Sequence, residues 1–323
     1  MSYFRKQLPA LFLLASTSLT AQFTDVINSN RPGESMSAFS VGKTVIQAEM
    51  GVTGTKQDHE LLNYEITGLD TELVVRYGAF LEQLEFIAEL QYSNERVENL
   101  TGNFDRRGFR QANVGAKFLI YDPYKHFVDR KPNLMSWKAN HSFKWRDIIP
   151  AVGVYAGANV RLADIFPPLD QTQRLTGKGM VITQNQLGRY VFVTNFYMDR
   201  FGSDYETLGY VLTLTYGVNE KWSAFIENQA IQSDFYGDLI FRGGAAYLIA
   251  DNMQIDASIG AGIKSTPSVI NAGIGFSWRF DANYEDVILR LPGEEKADDK
   301  GKDKKKDKEK KKRKDAVEAE PVE

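Results

Sequence analysis

The chain of 323 residues contains no cysteine and only three histidines. Without cysteine there can be no disulfide, no thiolate nucleophile, no zinc–thiolate site and no lipidated N-terminus. The histidines leave little room for acid–base chemistry. His59 sits between Asp58 and Glu60 in a segment that reads as a loop tip, where such residues are commonly just solvated. His126 and His141 fall in one long connection. A nucleophile needs its base within hydrogen-bond reach, and no local grouping offers that arrangement. There is no H-E-x-x-H spacing for a metal and no glycine loop for a phosphate. We therefore expect a non-enzymatic protein without metal or cofactor. Long apolar runs are also missing: nothing approaches the ~20 residues a spanning helix needs.

The N-terminus carries Arg5 and Lys6, an apolar run from Leu8 to Ala15, and the small polar stretch Ser16-Thr-Ser-Leu-Thr-Ala21. This is the pattern of a secretory signal peptide cleaved after Ala21, too short to anchor the chain. Residues 1–21 are therefore set apart as signal, and 22–42 as an N-terminal segment on the periplasmic side.

The rest is rich in alternation. Strand-like segments fall at about 43–54, 61–77, 81–93, 108–121, 142–161, 190–199, 205–217, 221–233, 239–250, 253–264 and 268–280. Very short connections at 77–80, 217–220 and 250–252 resemble the periplasmic turns of outer-membrane barrels, and turns on one side are separated by an even number of antiparallel strands. Five segments lie between the first two turns, so one is missing. The gap from Thr176 to Gln186 supplies it, with a tight turn at Leu187-Gly-Arg189. The expected fold is all-β: an antiparallel up-and-down transmembrane barrel of about 12 strands over 43–281, with both ends in the periplasm.

Charge keeps to one parity. Glu72 and Arg76 share a row opposed by Leu73, Val75 and Tyr77; Glu85 and Glu89 oppose Leu84, Phe86 and Leu90; Asp256 and Lys264 oppose Ile255, Ile259 and Ile263. A lysine or arginine facing lipid costs about 2–4 kcal/mol at the midplane, so a barrel should segregate charge into its lumen. The lumen candidates are Glu49, Glu72, Arg76, Glu85, Glu89, Lys117, Glu227, Arg242, Asp256 and Lys264. A soluble sandwich would also alternate. The last strand separates the two: Asn271, Gly273, Phe276, Trp278 and a final Phe280 resemble the signal by which barrel-assembly machinery recognises a terminal strand.

With the strands placed, the chain resembles the outer-membrane "transporter" family, also called the putative MetA-pathway of phenol degradation family. Three regions carry the resemblance. They are Asn30-Arg-Pro-Gly-Glu-Ser35 with Phe39-Ser-Val-Gly42 and Gln47-Ala-Glu-Met-Gly51; Phe225-Ile-Glu227 with Asp251-Asn-Met-Gln-Ile-Asp-Ala-Ser-Ile-Gly260; and Gly275-Phe-Ser-Trp-Arg-Phe280. Family members often carry Asp where this chain has Asn30. They often end the fifth strand in Leu-Pro-Thr-Gly, where Ala163-Asp-Ile-Phe-Pro-Pro168 stands here. The resemblance implies passage of a small molecule across the outer membrane, without catalysis. The competing reading is a structural or accessory subunit of a secretion or barrel-assembly type complex. It would hold periplasmic partners through the long connection from Asp122 to Trp145, which contains Trp137, and through the tail.

That tail, 282–323, lacks a folding composition. From Lys302 to Lys314 it has ten basic and three acidic residues, flanked by acidic stretches. Exported to the periplasm, such a block could meet a protein or an anionic cell-wall polymer; nucleic acid is not an expected partner. Beyond the tail, the expected contacts are outer-membrane lipid and, during biogenesis, the assembly machinery.

Overall fold

The computed structural model describes residues 27–126, 135, 148–167, 173–234 and 236–280. Among these residues twelve strands are present: β1 (Ile46–His59), β2 (Tyr64–Gly78), β3 (Leu84–Asn99), β4 (Gly102–Tyr121), β5 (Ala151–Arg161), β6 (Leu175–Leu187), β7 (Tyr190–Phe201), β8 (Thr207–Gly217), β9 (Trp222–Ser233), β10 (Gly237–Ala250), β11 (Met253–Gly262) and β12 (Ser268–Phe280). Each pairs antiparallel with its sequence neighbours, and β1 pairs with β12 to close the barrel. Closure removes both sheet edges, so every strand finds a backbone partner on each side. A short helix, α1 (Pro123–His126), follows β4. Its first turn is capped by Asp122, whose Oδ1 accepts the Tyr124 N–H at 2.9 Å.

The strand that direction-counting requires is β6, and the turn at 188–189 joins it to β7. Turns at 79–83, 188–189, 218–221 and 251–252 share the end where β1 begins and β12 stops. This is the proximal end, which faces the periplasm in outer-membrane barrels. The other is the distal end.

One hairpin is taller than expected. The charged stretch 94–107 reads as a loop, yet β3 and β4 pair continuously up to Asn99 and Gly102. Opposite charges meet across strands there, Arg106 on Glu95 at 2.5 Å and Arg96 on Asp105 at 2.9 Å, and such pairs support a ladder that hydropathy alone would end. The fifth strand begins at Ala151 rather than 142, and 142–147 lie outside the described residues.

The facing of side chains is inside-out relative to a soluble protein. Glu49, Glu227 and Asp256 are 1%, 3% and 6% exposed, while Ile226, Ile259 and Ile274 are 64%, 63% and 67% exposed. The outward rows form an apolar belt that only lipid can cover. Near the proximal end the belt carries aromatic contacts, with Tyr190 on Tyr216 and Trp222 on Tyr247, each at 4.8 Å between ring centroids, and Trp278 on Phe280 at 5.7 Å. Amphipathic rings of this kind favour the membrane–water boundary.

Candidate functional site

The proximal lumen is filled by the chain's own N-terminal segment. The sequence sets residues 22–42 apart as an N-terminal segment on the periplasmic side; the described part, 27–42, reaches into the proximal lumen and contacts its wall. It enters beside Asp251, whose carbonyl accepts the Ile27 N–H at 2.8 Å. It then turns back on itself, the Asn30 Oδ1 accepting the Ser37 N–H and the Asn28 Nδ2 donating to the Ser37 hydroxyl, both at 3.0 Å. A segment without regular structure must still satisfy its backbone groups when buried. Here the barrel wall supplies the partners.

Those partners come from all around the wall. Asn195 on β7 treats the Met36 peptide as another amide would, accepting its N–H at 2.5 Å and donating to its carbonyl at 2.9 Å. The Gln184 Oε1 on β6 accepts the Ser37 hydroxyl at 2.9 Å and the Ala38 N–H at 3.0 Å. Glu227 on β9 receives the Glu34 N–H at 3.1 and 3.2 Å, and is itself held by the Thr213 hydroxyl at 2.7 Å and by Arg242 at 3.0 Å. Ser29 and Ser277 share a hydroxyl–hydroxyl bond of 2.8 Å.

Arg31 has the most specialised seat. Gly51 on β1 and Gly275 on β12 face each other in register, and each is so close to the Arg31 guanidinium that a Cβ would overlap it. Glu72 is the β2 partner of Gly51, and Asp256 the β11 partner of Gly275. The guanidinium thus lies over two glycines with a carboxylate on each side, 3.6 Å from Glu72 and 3.4 Å from Asp256. A planar cation between two anions suits arginine better than lysine.

Below it sits a sealed group of four charges. Arg76 meets Glu85 at 2.6 Å and Glu49 at 2.9 Å, and Lys117 meets Glu85 at 3.2 Å; all four side chains are at most 1% exposed. Two cations balance two anions. The group also grips the plug, Arg76 donating to the Asn28 carbonyl at 2.7 Å, Lys117 to the Ser37 and Phe39 carbonyls at 2.9 Å each, and Glu85 accepting the Val41 N–H at 3.0 Å. Beside this group, from β3 round to β7, part of the lining is apolar: Ala38 packs with Ile87, Leu119, Ala151, Tyr155, Met180, Ile182 and Val193, flanked by Met36 and Phe39. The plug is therefore amphipathic in the same sense as the wall it faces. Towards the distal end the lumen holds a cavity of about 260 Å³.

Of the lumen candidates, Glu49, Arg76, Glu85 and Lys117 form one network, Glu227 and Arg242 another, and Glu72 and Asp256 flank Arg31. Glu89 lies half-buried on β3 among the inward row. Lys264 does not join them. Strand β11 stops at Gly262, so Lys264 sits in the exposed distal loop with its Nζ 5.6 Å from the Tyr236 ring. In β12, Asn271 and Gly273 belong to the inward row, while Phe276, Trp278 and Phe280 point outward opposite Met50, Ala48 and Ile46. His59 ends β1, its Nδ1 accepting the Leu62 N–H at 3.3 Å and its ring against Tyr64. Trp137 and His141 lie outside the described residues, as do the signal segment and the tail.

Sequence reasoning missed Arg31, Gln184 and Asn195 as site residues. Arg31 had a signal in the Arg-Pro pair quoted above; Gln184 and Asn195 are ordinary inward polar residues until something lies against them.

A closed, even-stranded antiparallel barrel with apolar rows outside and charge within defines this chain as a transmembrane β-barrel of outer-membrane type. The family model described as "Putative MetA-pathway of phenol degradation" matches residues 29–280, and the chain belongs to that family. The match begins at the plug and ends with β12. No curated protein matches the chain. Among solved structures, it is similar to the COG4313 outer membrane channel from Pseudomonas putida F1, with 12% identity, 78% of this chain and 100% of that one covered, and a TM-score of 0.49. The translocator domain of autotransporter NalP from Neisseria meningitidis follows at 9% identity, 86% and 96% coverage and a TM-score of 0.44. The CymD monoaromatic hydrocarbon channel stands at 10% identity, 74% and 89% coverage and a TM-score of 0.39.

Proposed function

We propose that the barrel is a non-catalytic conduit for a small solute across the outer membrane, closed at its proximal end by residues 27–42. One observation carries this reading. The closure includes a separate segment held to the wall through polar contacts. Hydrogen bonds to a segment can be exchanged for hydrogen bonds to water at modest net cost, typically about 0.5–1.5 kcal/mol each. A wall cannot be exchanged in that way. The family's own description ties it to phenol degradation, which supports a small organic solute. In this reading the signal segment 1–21 directs export, and the tail 282–323 extends into the periplasm, where Lys302–Lys314 would meet an anionic polymer or protein.

The test is single-channel conductance in planar bilayers for the native chain, a chain lacking residues 27–42, and a Ser29→Cys/Ser277→Cys pair oxidised to a disulfide. Native cysteines are absent, so the bond forms only there. Larger conductance on deletion, and a low conductance in the disulfide form that rises on adding reductant, are the expected results. A deleted chain that migrates as a folded, heat-modifiable barrel but passes no current would overturn the conduit and leave an accessory role.

A further inference from the structure

Two β-bulges turn arginines towards one distal cavity. In the β3–β4 ladder, Gln91 pairs with Gln111 and Tyr92 with Phe109, which leaves Arg110 as the extra residue. In the β6–β7 ladder, Gly177 pairs with Phe201 and Gly179 with Met198, and Arg200, inside that irregularity, takes a left-handed φ of 56°. Bulges re-aim side chains, and a positive φ at an arginine is an uncommon conformation. Arg161 and Arg174 complete the group from the two ends of the loop between β5 and β6. The backbone ties these positions together, the Arg161 N–H donating to the Arg174 carbonyl at 2.8 Å and the Leu162 N–H to the Arg110 carbonyl at 3.1 Å.

All four arginines line the cavity of about 260 Å³, together with Gln111 and Thr176, and among the described residues no carboxylate lines it. The acidic residues stand behind. Asp164 holds Arg161 at 3.3 Å and Arg174 at 2.9 Å, Glu95 holds Arg110 at 2.9 Å, and Asp70 lies 3.8 Å from Arg110. Asp199 is occupied by the Arg200 N–H and by the Asn159 amide. Among the described residues the Arg200 guanidinium makes no ion pair. Phe166, only 2% exposed, forms an apolar patch of the lining, with the Arg106 and Arg110 guanidinium groups 5.6 and 4.8 Å from its ring centroid.

We infer that this cavity binds a small organic carboxylate on its way into the barrel. Guanidinium groups presented side by side recognise a planar carboxylate through paired charge-assisted hydrogen bonds. The volume holds roughly nine waters, more than a bare oxyanion fills, and the surplus space is bounded by Phe166, Pro167 and Ala163. A carboxyl group against the arginines and a compact apolar body against Phe166 use both parts. This deepens the conduit reading and rests on it for its biological meaning, but binding itself is measurable without transport.

The probes are benzoate, the neutral benzamide of the same shape, and inorganic phosphate, each titrated calorimetrically against the full barrel in detergent. Saturable benzoate binding is expected, at least about tenfold tighter than benzamide or phosphate. It should weaken about tenfold or more in Arg200→Gln, the loss expected for one hydrogen bond to a charged group, and be largely retained in Arg200→Lys with respect to charge selectivity. Heat-modifiable migration confirms that each variant is folded. Equal affinity for benzamide would show a site that reads the ring and overturn the inference. Equal affinity for phosphate would show a general oxyanion site and overturn it as well, as would no binding of any probe to the folded native barrel. Benzoate binding without any conductance would instead remove the conduit and leave this site standing.

Discussion

Gly51 and Gly275 face each other across the β1–β12 seam, and the space their missing side chains leave is occupied by the Arg31 guanidinium. The pairing that closes the barrel and the contact that seats the plug are thus one structural feature. Replacing Gly275 with valine puts two methyls where the guanidinium lies, while the β1–β12 backbone ladder can remain. Arg31 then loses Asp256 and Glu72 together. We expect a folded barrel in which a cysteine at position 29 reacts with a maleimide several times faster than in the Gly275 parent. Unchanged labelling would mean that the remaining contacts hold the plug without Arg31.

The buried group of Glu49, Arg76, Glu85 and Lys117 makes an opposite kind of prediction, about stability rather than gating. Arg76→Met leaves two carboxylates facing one lysine in a site with no access to water. Breaking a buried pair by removing one partner costs about 3–5 kcal/mol. Arg76→Met combined with Glu49→Leu removes one charge of each sign and leaves the Glu85–Lys117 pair intact, so most of that loss should be recovered. Urea unfolding in lipid vesicles measures both. Equal destabilisation by the single and double variants would show that packing, not charge balance, governs the site.

The barrel was largely legible in the sequence because its wall obeys one rule repeated twelve times. Lipid outside and charge inside force alternation, and strand direction forces the count, which is how the stretch around Met180 was recovered as a strand. The plug obeys no such rule. Its residues make sense only against a wall that is apolar along Ile87, Tyr155 and Ile182 and charged along Arg76, Glu227 and Asp256. That difference belongs to the assembled circumference and leaves no period in any one strand. The charged 94–107 hairpin and Lys264 were misplaced for a related reason: local polarity suggests where lipid ends, whereas cross-strand pairing decides where a ladder ends.

The outward row of β12 ends in Phe276, Trp278 and Phe280, opposite the first residues of β1. Phe280→Ser keeps the chain length and the β1 register but deletes the last aromatic of the row. If that row is read during assembly, the fraction of heat-modifiable barrel in outer membranes should fall several-fold, while the same variant refolded from urea into detergent should reach the native yield. A refolding defect as large as the cellular one would make Phe280 a stability residue rather than a recognition one.

Everything the family match covers ends at Phe280, and β12 already completes the closure with β1. A chain truncated after residue 293 should therefore fold to the same heat-modifiable barrel with the same conductance, because no contact of the ladder or plug described above is removed. What should change is company. The block from Lys302 to Lys314 concentrates positive charge, and attraction of that kind weakens as salt shortens the Debye length from about 10 Å at 0.1 M to about 3 Å at 1 M. Native chain purified in mild detergent at low salt should carry anionic cell-wall material or an acidic protein that 1 M salt removes and that the truncated chain never carries. Identical material on both chains would assign the association to the barrel, and the accessory reading would then have to rest on the connection after β4.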